Sequence, residues 1–122
     1  MFDTEKVKYF KSSEFVCKCC GENQISSDLV YLLDKARNLA GIPFRINCGY
    51  RCKKHNKEVG GVEDSSHCKG LAVDISADGD VSRFRIVEAL LNVGFKRVLL
   101  YSTFIHCDID LEKLNPILKI MK

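Results

Sequence analysis

The chain has 122 residues, 46% hydrophobic and 29% charged, with eight glycines and two prolines. At roughly 100–200 residues per domain this reads as a single domain, residues 1–122, with enough apolar material for a core. No run approaches the ~18 uninterrupted apolar residues of a membrane span. The opening MFDTEKVKYFKSSEF mixes acids, lysines and aromatics, unlike a signal or transit peptide. The expectation is a monomer made in the cytoplasm without its own signal peptide. Membrane-spanning, fibrous and self-targeted secreted classes are disfavoured.

Net charge is +3, from 19 Lys and Arg against 16 Asp and Glu. A nucleic-acid footprint shows a clustered basic stripe, and these cations are scattered, so no nucleic-acid partner is expected. Seven cysteines stand at 17, 19, 20, 48, 52, 68 and 107. An odd count without a visible export signal favours reduced thiols over a disulfide framework. The CKCC run at 17–20 could hold a soft metal, with Cys48, Cys52 or His55 completing the set. Its spacing matches no standard zinc finger, and cysteines packed as small hydrophobes are the expected state.

In chain order, residues 1–25 read as an irregular lead-in. Ser26 and Ser27 can cap a helix over Asp28–Ala40, apolar along Leu29, Leu32, Leu33, Ala36, Leu39 and Ala40 and stopped by Gly41 and Pro43. Phe44–Cys48 reads as a short strand and Cys52–Val59 as a short polar helix. A loop from Gly60 and Gly61 leads to a strand over Leu71–Ser76. Ser82 can cap a second amphipathic helix ending at Asn92 or Val93, before Gly94. Arg97–Tyr101 and Phe104–Asp110 flank Ser102-Thr103 as a hairpin. The tail from Leu114 fits strand or helix equally. The sum is α+β: a small antiparallel sheet with flanking helices.

Chemistry concentrates around two of the three histidines. In Ser65-Ser66-His67-Cys68-Lys69-Gly70-Leu71-Ala72-Val73-Asp74, a histidine precedes a carboxylate set in an apolar strand. Burying that carboxylate is costly unless it is paired or coordinated. Pairing with an arginine or capping a loop would satisfy it as well. In Phe104-Ile105-His106-Cys107-Asp108, a strand's period of two places His106 and Asp108 on one face and Cys107 on the other. A lone strand histidine is more often a satisfied core residue than a ligand. Two histidines and a carboxylate, however, form a frequent catalytic zinc set with a fourth position left for water.

Cys48-Gly49-Tyr50-Arg51, then SSHCKGLAVD, then FIHCDID together resemble the M15 family of zinc peptidases, in particular small D-alanyl-D-alanine carboxypeptidase-like and phage endolysin-like members. The three motifs fall in order within Ile42–Asp110, and the similarity extends over most of the chain. The resemblance implies one Zn²⁺ bound by His67, Asp74 and His106 on the sheet face, and hydrolysis of peptidoglycan stem peptides at a bond involving D-alanine. Such a site carries a net charge of +1 and can acidify a bound water from about 15.7 toward about 7. Arg51 matches the family arginine that grips substrate and oxyanion. Ser65 matches a serine that bonds bound peptide, although a turn role weighs nearly as much.

Two positions depart from the family pattern. Cys48 stands where a serine is usual. Thr103 occupies the place of the acid that serves many relatives as general base. Asp108 is then the available base, or equally a carboxylate that orients His106. Asp110 lies further off. His55 could line the substrate groove or be a solvated or capping residue. Three functions follow: a cell-wall peptidase delivered by another factor, a cell-wall-binding module that keeps the zinc fold without turnover, and a structural metal domain centred on Cys17, Cys19 and Cys20.

Overall fold

Ser26 begins helix α1 (Ser27–Ala40) by accepting the Leu29 amide on its hydroxyl, and Gly41 ends it in the left-handed conformation at φ 69°. In this computed structural model, which describes residues 2–121, the buried stripe of α1 is Leu29, Val30, Leu33, Ala36 and Ala40. Leu39, expected on that stripe, lies outside the i, i+4, i+7, i+11 row and is 61% exposed, while Val30 turns inward instead. Helix α2 (Lys53–Glu58) is one short polar turn and a half capped by the Cys52 thiol. Helix α3 (Asp80–Val93) starts two residues before the expected Ser82 cap. Gly79 holds the cap position without a side-chain bond, and Gly94 terminates the helix at φ 106°.

Five strands form one sheet in the order β1 (Ile46–Cys48), β2 (Ala72–Ser76), β4 (Phe104–Asp108), β3 (Arg97–Leu100), β5 (Ile117–Ile120). The first four pair antiparallel. The ambiguous tail joins as β5, parallel to β3, so the α+β fold has a mixed sheet rather than a wholly antiparallel one. Helices α1 and α3 pack on each other. Alternation along the strands sorts the sheet into two faces. Val73 and Ile75 of β2, Val98 of β3, and Ile105 and Cys107 of β4 join the helices in the core. The N-terminal segment adds Phe2, Phe10 and Phe15, with Phe15 edge-on to Phe2 at 5.9 Å between ring centroids. Among the described residues, no helix is long and apolar enough to cross a membrane.

Candidate active site

The opposite face of the sheet carries the polar residues, and strand register decides which of them meet. Asp74 pairs with His106 and His106 with Leu99 across β2, β4 and β3. One rung along, Ala72 pairs with Asp108 and Asp108 with Arg97. His67 reaches the same spot from a turn before β2. There Ser65 Oγ accepts the His67 amide at 3.2 Å, and the His67 carbonyl accepts the Arg51 and Gly70 amides. Gly70 closes this turn at φ 73°, and a Cβ there would lie 1.9 Å from the Gln24 carbonyl oxygen.

The result is a convergence on one carboxylate oxygen. His67 Nε2 stands 3.2 Å and His106 Nδ1 3.0 Å from Asp74 Oδ1. The partners on the far sides of both rings fix the tautomers. His67 Nδ1 faces the Gly49 carbonyl oxygen at 2.8 Å, which can only accept, so Nδ1 carries the proton. His106 Nε2 lies 2.7 Å from Asp108 Oδ2 and donates to it in the same way. In neutral rings the two remaining nitrogens are then bare lone pairs aimed at an anionic oxygen. Only a proton or a cation among them makes that arrangement favourable.

The protein's electrostatics say the same. Burial lowers the basicity of His67, but the Asp74 carboxylate and Cys48 outweigh it and raise its pKa to about 10. Burial raises Asp74, yet His106 and His67 bring it down to about 2. The donors also suit zinc: tetrahedral bonds of about 2.1 Å separate ligand atoms by about 3.4 Å, against the 3.2 and 3.0 Å found. Ion for proton exchange at this point is the expected chemistry of two imidazoles and a carboxylate. Ligating atoms of Cys48, on β1, also lie within 4.8 Å of those of His67 and Asp74, a grouping that does not include His106, and the Cys48 sulfur stands 3.6 Å from His67 Nδ1. Period and spacing gave no sign of that approach.

Asp108 does not face the cleft. It is fully buried, and Arg97 Nε contacts both its oxygens at 3.0 and 3.1 Å. The Asp110 amide and His106 complete its shell. Asp110, which seemed remote along the chain, is also buried. Its carboxylate accepts from Ser66 Oγ at 2.7 Å and Lys69 Nζ at 2.9 Å, tying the His67 turn to the end of β4. Arg97 faces Asp108 across the β3–β4 hairpin, the pairing that a two-residue Ser102-Thr103 turn implies, whereas the partners of Asp110 come from the loop before β2 and had no signal in the sequence.

A cleft of about 430 Å³ opens over the three converging residues, with Arg51, Ser65 and Tyr101 among its walls. Arg51 Nη2 donates to Ser65 Oγ at 3.3 Å, and its buried Nε has no acceptor among the described residues. Ser65 thus serves its own turn and Arg51 together. Tyr101 stacks on Phe104 at the rim, 4.4 Å between centroids. Thr103 is exposed in the β3–β4 turn. His55 lies outside the cleft walls, 4.0 Å from Glu58. Cys107 packs into the core, as the strand period requires, and Cys68 is half-buried beside His67.

No curated relative matches the chain. A family model described as Peptidase M15, however, matches residues 8–108, a span holding the GYR turn, the His67 turn with β2, and β4. The chain therefore belongs to the M15 peptidases, a family of zinc-dependent hydrolases that act on peptidoglycan.

Proposed function

We propose that the protein is a zinc-dependent peptidase of peptidoglycan stem peptides, cleaving at a bond involving D-alanine as a carboxypeptidase or endopeptidase, with His67, Asp74 and His106 as the ligands of one Zn²⁺. The observation that carries this reading is the convergence of His67 Nε2 and His106 Nδ1 on Asp74 Oδ1 at the floor of a cleft. When bound, zinc supplies Lewis acidity to the scissile carbonyl and the attacking water. Arg51, on the cleft wall, presents its fork to a substrate carbonyl or carboxylate and to negative charge developing on the carbonyl oxygen. Ser65 braces that fork while keeping its own hydroxyl proton for the peptide. Asp108 acts as a positioning residue, holding the Nε2 proton of His106 so that Nδ1 points at the cleft.

One observation favours a second reading, a cell-wall-binding module that retains the zinc fold with little or no turnover. Thr103 offers no base, Asp108 has both oxygens engaged, and Asp74 is the one carboxylate lining the cleft among the described residues. Muropeptides incubated with the zinc-loaded protein and with His67→Ala separate the two. New termini by mass spectrometry, formed by wild type and absent with the variant, support the peptidase. Zinc-dependent capture of intact muropeptides assigns the binding module, and neither capture nor cleavage overturns both.

A further inference from the structure

The second concentration of metal-ligating atoms lies away from the cleft. The sulfurs of Cys17, Cys19, Cys20 and Cys52 all lie within 4.8 Å of one another. Cys19 Sγ is 3.3 Å from Cys52 Sγ and 3.6 Å from Cys17 Sγ. Tetrahedral Zn–S bonds of about 2.3 Å separate sulfurs by about 3.8 Å, slightly more than these two distances and less than the 4.8 Å within which all four sulfurs lie. We propose that Cys17, Cys19, Cys20 and Cys52 form a structural site for a thiophilic divalent cation of the Zn²⁺ class, separate from the His67–Asp74–His106 centre.

Three features of the surrounding chain make this a built site. The 17–20 segment is held as a tight turn: the Cys17 amide donates to the Glu22 carbonyl at 2.7 Å and the Gly21 amide to the Cys17 carbonyl at 2.8 Å. Gly21 takes φ 73°, with open space around it, so glycine is there for the backbone and not for packing. Backbone amides also point at sulfur. The Cys52 amide donates to Cys17 Sγ and the His55 amide to Cys52 Sγ, each at 3.4 Å, which fixes where the two sulfurs point. Finally, four thiolates on a divalent ion leave a net charge of −2, and cationic residues are adjacent in sequence to the ligands, Lys18 between Cys17 and Cys19 and Lys53 and Lys54 directly after Cys52.

Binding exchanges thiol protons for the ion and involves no oxidation or reduction. Its structural effect is a clamp. Cys52 follows Arg51 and caps α2, whereas the other three ligands belong to the N-terminal segment. Those two segments already meet where the Tyr50 amide donates to the Phe15 carbonyl at 2.8 Å and Gly49 passes so close that a Cβ would sit 2.7 Å from Phe15 Cα. The ion would lock the Arg51 loop against the rest of the fold.

The test uses the full chain as His67→Ala/His106→Ala, purified under reductant and titrated with Co²⁺ alone. The expected result is one cobalt per chain, with a thiolate-to-cobalt charge-transfer band and the intense visible bands of tetrahedral cobalt, both bleached by added Zn²⁺. Cys19→Ser or Cys52→Ser in that background removes or sharply weakens the charge-transfer band, and Cys68→Ser and His55→Ala leave it unchanged. Wild type then carries two zinc ions per chain, one of which an organomercurial releases. Cobalt bound without a thiolate band overturns the proposal. So does a wild-type content of one zinc that falls to none in the double variant, or recovery of Cys19 and Cys52 as a disulfide from reduced preparations. If the double variant does not fold, the wild-type zinc count and its release by the mercurial decide the question.

Discussion

His106 sits between two carboxylates, and each side of the ring has a different consequence. Asp108 at 2.7 Å holds Nε2–H, which leaves Nδ1 bare toward Asp74. Outer carboxylates of this kind typically govern metal affinity by 10–100-fold. Asp108→Asn should therefore weaken zinc binding by about 10–100-fold in a chelator competition, with the metal still bound at saturating zinc. Because the substitution also leaves Arg97 without its anionic partner, the melting temperature should fall in the same sample. Arg51→Ala separates substrate handling from metal binding. It should lower kcat/KM on muropeptides by about 100-fold, the usual effect of losing one oxyanion donor, while zinc content stays at the wild-type value. The facing of His106 and Asp108 on one side of β4 was legible from the strand period alone. The expected hairpin around Ser102-Thr103 likewise sets Arg97 opposite Asp108; what it left open is that Asp108 is fully buried with both oxygens on Arg97 Nε.

Elements bring these residues together by register and by closely packed turns. A shift of one residue between β2 and β4 would move Asp74 opposite Ile105 or Cys107, on the core face, and dissolve the site. The turn that presents His67 depends on Gly70, whose carbonyl also accepts the Ser26 amide at the start of α1 at 2.8 Å. Gly70→Ala meets both a left-handed φ of 73° and the Gln24 carbonyl oxygen. The backbone strain alone costs about 1–2 kcal/mol, and relieving the overlap must displace the segment before α1. Thermal unfolding should show a clear drop in melting temperature, accompanied by reduced zinc occupancy as the His67 turn moves. Helix caps were partly readable: Ser26 caps α1 and Gly41 and Gly94 end their helices, as the residue types suggest. The start of α3 was not, since Gly79 carries no side chain to mark a cap, and Ser82 is a cap-like residue lying inside the first turn.

At the scale of the whole molecule, Asp110 links the end of β4 to the loop before β2 through Ser66 and Lys69. Burial pushes its carboxyl up, but Lys69 and Ser66 outweigh that and hold it below the ordinary 3.8. A carboxylate with a lowered folded-state pKa contributes stability above its unfolded value and loses it as pH falls through the lowered one. Wild type should therefore exceed Asp110→Asn by about 2 kcal/mol near neutral pH, the usual worth of a hydrogen bond to a charged group. In urea unfolding that gap should narrow as the pH drops below 3.8. What the sequence determined by itself was local: amphipathic helices, short alternating strands, turn glycines and three motifs ordered as in the M15 peptidases. Those features depend on periods of 3.6 and two and on residues adjacent in the chain. Tertiary structure decided the rest. It set Asp74 against His106 and Asp110 against Ser66, joined the tail to β3 in parallel, and brought Cys52 to the 17–20 turn. Each of these joins segments far apart in sequence, where only the packing of the sheet against α1 and α3 fixes which side chains become neighbours.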